Sequence, residues 1–134
     1  MVWYCYWVKI VIPIPEKISL NKIYGGIHYR KRNAQKDDYH FAVMSVQPKP
    51  YTGNFPIHVH YHFKLHGRRY DISNHAYMLK MTEDGLVACG VIPDDTPKYI
   101  NAITITAEKA KEDEDEVVEV ELSTYPLNYQ QVSG

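Results

Sequence analysis

The stretch RRYDISNHAYMLKMTEDGLVACGVIPDD, residues 68–95, holds the side chains of this chain best suited to phosphate chemistry. Asp71 sits where a strand gives way to a helix, Ser73 and Asn74 can cap that helix, and Lys80 follows within it. At about 3.6 residues per turn, Ser73, Tyr77, Lys80 and Asp84 share one side of the helix. Long helical side chains lean toward the N-terminus, which aims Lys80 back at Asp71. Pro93, Asp94 and Asp95 make the next turn, and strand and helix folding back together would bring Asp94 and Asp95 toward Asp71. Converging carboxylates suit magnesium, a hard cation that keeps several waters and accepts phosphate oxygens. Such an ion could polarise a phosphodiester and orient water, with Lys80 stabilising the added charge. The same residues also have plain structural readings: a cap at Ser73, a surface pair between Lys80 and Asp84, and a simple turn at Asp94 and Asp95.

Just upstream, residues 58–75 contain five of the chain's seven histidines. HVHYH could offer two or three imidazoles to zinc from one strand face, since alternate side chains point the same way. Residues two apart on a strand are roughly 7 Å apart, however, and zinc needs a fourth ligand. Ile57, Val59, Tyr61, Phe63 and Leu65 alternate with the histidines and supply a core-facing side. The imidazoles therefore face away from the core, which favours a polar or nucleic-acid-facing surface over a metal cage.

These candidates need a scaffold, and 134 residues of 45% hydrophobic composition can build one core. Val8 to Ile14 reads as a strand leaving through Pro13 and Pro15, and residues 16–38, with Gly25 and Gly26, as a flexible basic connection. Phe41, Met44 and Ser45 fall near helical spacing and predict a short helix from about Asp37 to Gln47, stopped by Pro48 and Pro50. Ile57 to Leu65 is the clearest strand. A second helix runs toward Cys89, weakened but not ended by Gly85. Ile100–Ala107 and Val117–Leu122 read as strands joined by an exposed acidic hairpin loop, EKAKEDEDE. The order predicts a small single α/β or α+β domain with a mixed sheet and two main helices, spanning residues 1–125, with 126–134 a flexible tail.

The net charge of -1 conceals an asymmetry: residues 1–80 carry 12 Lys plus Arg against 4 Asp plus Glu, and residues 81–134 carry 3 against 12. A basic face for a polyanion is therefore available, or else the two parts offset each other as neighbours. The opening apolar run contains Lys9 and prolines and falls short of the roughly 20 residues that cross a bilayer. No membrane association is expected. Cys5 and Cys89 lack CxxC spacing, which points to a reduced, cytoplasmic protein.

Taken together, the motifs resemble the RusA-like family of Holliday junction resolvases, small dimeric endonucleases common in phages and prophages. The resemblance spans roughly residues 8–122 and is concentrated between Arg68 and Asp95. Asp71 and Asn74 match the Asp-x-Asp-Asn motif, Lys80, Asp84 and Leu86 match Lys-x-x-x-Asp-x-Leu, and Gly90, Val91, Asp94 and Asp95 match its final turn. IPIPEKISLNKIY is similar to the family's proline-rich strand exit, with Asn21 as the following asparagine. The resemblance implies a RusA-like fold, a homodimer, and magnesium-dependent hydrolysis of branched DNA, four-way junctions above all; manganese is an alternative cation. It implies catalytic roles for Asp71, Lys80 and Asp95, with Asp71 and Asp95 as metal ligands. It also implies phosphate contacts from Arg68 and Arg69 near the metal, from Arg30, Lys31, Arg32 and Lys36 in the basic connection, and from Asn74. A phage-borne copy would act in the host cytoplasm.

Two departures bear on this expectation. Ser73 stands at the second metal aspartate's position, where its hydroxyl can only orient a metal-bound water or cap the helix; Asp94, Ser73 itself or His75 are the candidates to complete the ligand set. The spacing from Asn74 to Lys80 is also longer than in the family pattern. Two rivals follow: a branched-DNA-binding protein with weak or lost nuclease activity, and a metal-dependent nuclease for another DNA structure.

Overall fold

The computed structural model of the chain describes residues 7–18, 29–67 and 71–124, without the side chains of residues 29 and 30. Strands β1 (Trp7–Pro13), β2 (Ile57–Leu65), β3 (Ile100–Lys109) and β4 (Val117–Thr124) form one mixed sheet, with helices α1 (Tyr29–Ser45) and α2 (Ala76–Ala88). The fold is a small α+β domain of two helices on a four-stranded sheet. The strand order is β1-β4-β2-β3, with β2 and β3 parallel and the other pairs antiparallel.

β2 follows the sequence alternation. Ile57, Val59, Tyr61, Phe63 and Leu65 are all buried, while the intervening His58, His60, His62 and Lys64 are half-buried on the opposite face. Beside them Ile10, Ile12, Val118, Val120 and Leu122 extend the apolar layer over which the helices close. Because β2 and β3 are parallel, a crossover must join them, and α2 supplies it. β4 lies on the far side of β2 from β3, so residues 110–116 pass over the end of β2 and do not form the expected hairpin. Ala110 N–H donates to the Leu65 carbonyl at 2.9 Å, and the Glu116 carboxylate accepts from His66 N–H at 2.8 Å. Ala110 and Glu116 at the two ends of this crossing satisfy the backbone left open where β2 ends.

α1 differs more from the sequence expectation. It starts at Tyr29, so Arg30, Lys31, Arg32 and Lys36 belong to a helix and not to a flexible connection. The predicted stripe also faced the wrong way: Phe41 and Met44 are exposed, whereas Gln35, Tyr39, Ala42 and Val43 are buried. The buried set has helical spacing, but a glutamine, a tyrosine and an alanine carry much of it. Tyr39 Oη donates to the Glu16 carbonyl, and Gln35 Nε2 donates to Glu16 Oε2 at 3.3 Å, which seats these polar groups.

α2 is entered through a 3₁₀ turn, Ile72–His75, and neither Asp71 nor His75 makes a side-chain capping bond, so the expected cap at Ser73 or Asn74 is not used. Its C-terminus is firmly built. Gly90, at φ +77°, donates to Val87 O at 3.0 Å while Val91 N–H reaches back to Leu86 O at 2.9 Å. This is the Schellman arrangement, whose left-handed residue glycine adopts without strain. Val91 and Ile92 then bury, and Tyr51 N–H donates to Val91 O at 2.9 Å, so the chain returns beside α2 in a fixed path.

The helices meet at Gly85, where a Cβ would stand 2.8 Å from Val43 Cγ2 and 3.6 Å from His40 Cα. Valine is stiff at χ1 in a helix and this one is fully buried, so it has little room to give. Gly85→Ala is expected to destabilise the protein by about 1–3 kcal/mol through overpacking, outweighing the roughly 1 kcal/mol gained in helix propensity. Urea denaturation checks this; a variant as stable as wild type would contradict the close approach.

Candidate active site

The Schellman turn delivers the Asp94-Asp95 segment to the flank of α2, where Lys80 projects. Lys80 Nζ lies 2.7 Å from Asp95 Oδ2, 3.3 Å from Asp84 Oδ1 and 3.4 Å from Glu83 Oε1. Asp84 and Glu83 are within one turn of Lys80 on the same helix, while Asp95 comes from the returning chain. Asp95 N–H in turn donates to Asp94 Oδ1 at 2.8 Å, fixing the paired-aspartate turn. Beside this cluster opens a cleft of about 300 Å³ lined by Lys36 of α1, Asp84, Val87 and Ala88 of α2, and Asp94 and Asp95.

The three carboxylates are not equivalent. The hydrogen bond to Asp95 and the charges around it push the Lys80 ammonium well above the usual lysine range. The same hydrogen bond holds Asp95 below the usual carboxylate range. Glu83 is 6% exposed, and burial raises its carboxyl despite the attraction of Lys80. Tyr61 of β2 is fully buried, and burial first, then the charges of Glu83, Asp84 and Asp95, push its phenol up.

Several sequence candidates therefore meet: Lys80, Asp84, Asp94, Asp95 and Lys36. Asp71 and Ser73 do not join them. Both are exposed and neither lines the cleft; the Asp71 carbonyl accepts from Asn74 N–H at 2.9 Å. His75 is a core residue, fully buried, with its ring 5.0 Å from that of Phe63 and its Nδ1 at 3.1 Å from the Asp71 and Ile72 carbonyls. That placement removes it from a ligand set at the cleft. Lys31, Arg32 and Lys36 are exposed on α1, whereas Arg68, Arg69, the Arg30 side chain, Asn21, Cys5 and residues 126–134 lie outside the described residues.

Sequence reasoning missed Glu83 and Tyr61. Glu83 was visible as the residue one turn after Lys80, but a glutamate in a charged helix gives no sign that it will be buried. Tyr61 is absorbed by the apolar alternation of β2, and only its buried hydroxyl without a hydrogen-bond partner distinguishes it.

The histidine face resolves into hydrogen bonds to β3. His58 Nε2 is 2.7 Å from Thr104 Oγ1, His60 Nε2 and His62 Nδ1 are both 2.6 Å from Thr106 Oγ1, and His62 Nε2 is 3.0 Å from Glu108. Among the described residues no group of three or more His, Cys, Asp or Glu side chains is spaced to hold a metal ion. Magnesium, though, is commonly held through one or two carboxylates and completed by water and substrate phosphate. The carboxylates of Asp94 and Asp95 beside an open cleft fit that mode, and do not fit a closed protein cage. Among the described residues no helix is long and apolar enough to cross a membrane. No protein-family model and no curated protein matches the chain.

Glu83 gives a pH test. Its folded pKa is raised, so below the ordinary glutamate value of 4.5 it is protonated in both states and stability does not depend on it. As pH rises above 4.5 the unfolded chain releases the proton first, and stability is lost until the folded carboxyl ionises. The stability of wild type relative to Glu83→Gln is therefore expected to be flat below about pH 4 and to decline above it. Urea melts across pH 3.5–7 measure this; a difference that rises with pH would contradict the burial of an ionising Glu83.

Proposed function

We propose that this chain is a structure-selective DNA endonuclease that hydrolyses phosphodiesters at branched DNA, four-way junctions above all, using magnesium or manganese. The observation that carries this reading is the 2.7 Å contact of Lys80 with Asp95 at the edge of a carboxylate-lined cleft that has a second lysine, Lys36, on its rim. The RusA-like motif resemblance supplies the substrate class and implies the homodimer, which would set two clefts near opposed strands. Such activity belongs to DNA recombination and repair, in the cytoplasm of the cell or of a phage host.

In this reading α1 presents the DNA phosphates to the cleft. Its first turn carries no acidic residue and has Lys31 and Arg32 in its place, the reverse of what the helix dipole favours, which leaves that end suited to an anion. Lys36, one turn further, leads from this basic end into the cleft. Backbone contacts of this kind hold DNA without reading bases, so junction preference would come from the geometry of two subunits.

Asp94 and Asp95 would hold the cation; Asp71, which does not line the cleft, is the further ligand that the resemblance implies and that the Asp71→Asn variant below tests. When bound, magnesium supplies charge neutralisation of the phosphate and a more acidic water. Lys80 is held by carboxylates in the resting protein. As the cleft fills, its ammonium would transfer from Asp95 to a non-bridging phosphate oxygen and stabilise the charge that builds there during attack. Asp94 keeps Asp95 aligned through the backbone N–H bond while this exchange occurs.

Ser73 at a metal-aspartate position, and the lack of a prebuilt group of three ligands among the described residues, favour one alternative: binding of branched DNA with little cleavage. A junction-nicking assay separates the two. Wild type is expected to make symmetric magnesium-dependent nicks, with Asp71→Asn, Lys80→Ala and Asp95→Asn each losing about 100-fold or more. Wild type that binds junctions without nicking, while Ser73→Asp cuts them, would establish the alternative. Cutting of flaps or forks in preference to four-way junctions would instead point to a nuclease for another structure.

For the α1 surface, Arg32→Ala and Lys36→Ala should each weaken junction binding and reduce the slope of log K against log salt by about 1, without changing sequence preference. Fluorescence anisotropy at several salt concentrations reads this out. An unchanged slope in both variants would remove α1 from the DNA contact surface.

A further inference from the structure

The cleft beside Lys80 makes no use of the histidine face of β2, and the hydrogen bonds of that face single out one pair of rings. His58 reaches Thr104, whereas His60 Nε2 and His62 Nδ1 both lie 2.6 Å from one atom, Thr106 Oγ1. Two imidazole nitrogens from one strand are thus aimed at a single point, with their ring centroids 6.0 Å apart. The roughly 7 Å between alternate strand residues is spanned because both rings turn toward Thr106, which β3 places opposite His62.

The far side of His62 decides which of its nitrogens is free. Its Nε2 lies 3.0 Å from Glu108 Oε1, and a carboxylate only accepts. In the neutral ring the hydrogen therefore sits on Nε2, and the lone pair of Nδ1 faces the shared point. A carboxylate behind the ring is the usual companion of a metal-bound histidine, because it fixes the ring and makes the opposite nitrogen a better donor. Glu108 is itself placed by Lys64, whose Nζ is 3.6 Å from the same oxygen. The Thr106 hydroxyl has one hydrogen for two nitrogens, so it donates to His62 Nδ1 and accepts from His60 Nε2.

We propose that His60 Nε2 and His62 Nδ1 form an open two-imidazole site for a nitrogen-preferring divalent ion, copper(II) above nickel(II) and zinc, with water in the remaining positions. From 2.6 Å each nitrogen has about 0.5 Å to advance to the roughly 2.0–2.1 Å of a metal–imidazole bond, while Thr106 turns its hydroxyl aside. His60 then carries its ring hydrogen on Nδ1 in place of Nε2, exchanged through water, and the neutral pair releases no net proton. Two nitrogens and water oxygens suit the tetragonal geometry of copper(II) or nickel(II), and leave zinc short of its usual three or four protein ligands. The carboxylates that β4 sets beside these rings are engaged, Glu119 with Lys9 and Lys64, and Glu121 with the Trp7 indole N–H. Magnesium and manganese favour oxygen donors, so the cleft and the histidine face sort cations by donor type. This site stands whether or not the cleft cuts DNA.

The test titrates the metal-stripped full chain with copper(II) chloride by calorimetry and follows the assigned histidine ring signals by NMR at sub-stoichiometric copper. Wild type is expected to lose the His60 and His62 signals first, since a paramagnetic ion broadens what it touches. His60→Gln and His62→Gln should each weaken copper binding about tenfold or more, Glu108→Ala about tenfold, and His58→Gln by no more than about twofold. Manganese(II) should bind at this face about 100-fold more weakly than copper(II). Equal broadening of His58, His60 and His62, or a copper affinity unchanged in both His60→Gln and His62→Gln, would overturn the site. So would a loss in His58→Gln as large as in His62→Gln, which would mean that the strand binds copper without choosing this pair. Should a variant fail to fold, the wild-type broadening pattern decides alone.

Discussion

Lys80 reaches Asp95 only because α2 ends where it does. Gly90 takes the left-handed conformation that closes the helix, Val91 and Ile92 bury, and the chain is turned back along the helix flank with its paired aspartates leading. Three carboxylates so close around one point would repel one another if they stood alone. The Lys80 ammonium among them makes the arrangement tenable, and its own proton affinity rises as a result. The carboxylates best exposed to water are also those nearest the cleft. The buried one, Glu83, is left with a raised pKa because burial penalises its charged form.

The same constraint orders the rest of the molecule. Tyr61 stands at the middle of the buried face of β2, and α1 lies against α2 at the bare backbone of Gly85. That close approach lets Lys36 of α1 share a cleft with the aspartates that follow α2. The uneven distribution of charge along the chain thus acquires a spatial meaning here, with a basic helix beside an acidic turn. Elsewhere the acidic segment has a structural task. Glu116 serves the end of β2 and Lys17, and Glu119 pairs with Lys9 and Lys64 across the outer sheet face.

Legibility followed how directly a residue's role depends on its neighbours in sequence. β2 was read to its exact ends because a period of two needs nothing beyond the strand itself. The pairing of Lys80 with Asp84 was equally local. α1 was misread because its buried stripe mixes Gln35 and Tyr39 with Ala42 and Val43, and those polar groups are tolerated only through Glu16, a partner distant in sequence. The hairpin was misread because strand order is a property of the sheet, and nothing in EKAKEDEDE says that β2 lies between β3 and β4. At the site, Asp95 was foreseen as a participant, and the contact it makes is with Lys80. His75 reads as polar in sequence yet spends its ring nitrogen on backbone carbonyls in the core.

The central claim is that the cleft beside Lys80 is where metal and phosphate meet. It is tested most directly by anomalous diffraction from a crystal of the chain with manganese and a four-way junction. The account predicts a manganese peak within coordinating distance of Asp95, with the Lys80 ammonium moved from Asp95 to a phosphate oxygen. A peak on the histidine face of β2, or a junction bound with the Lys80 to Asp95 contact still intact and the cleft free of metal, would contradict it.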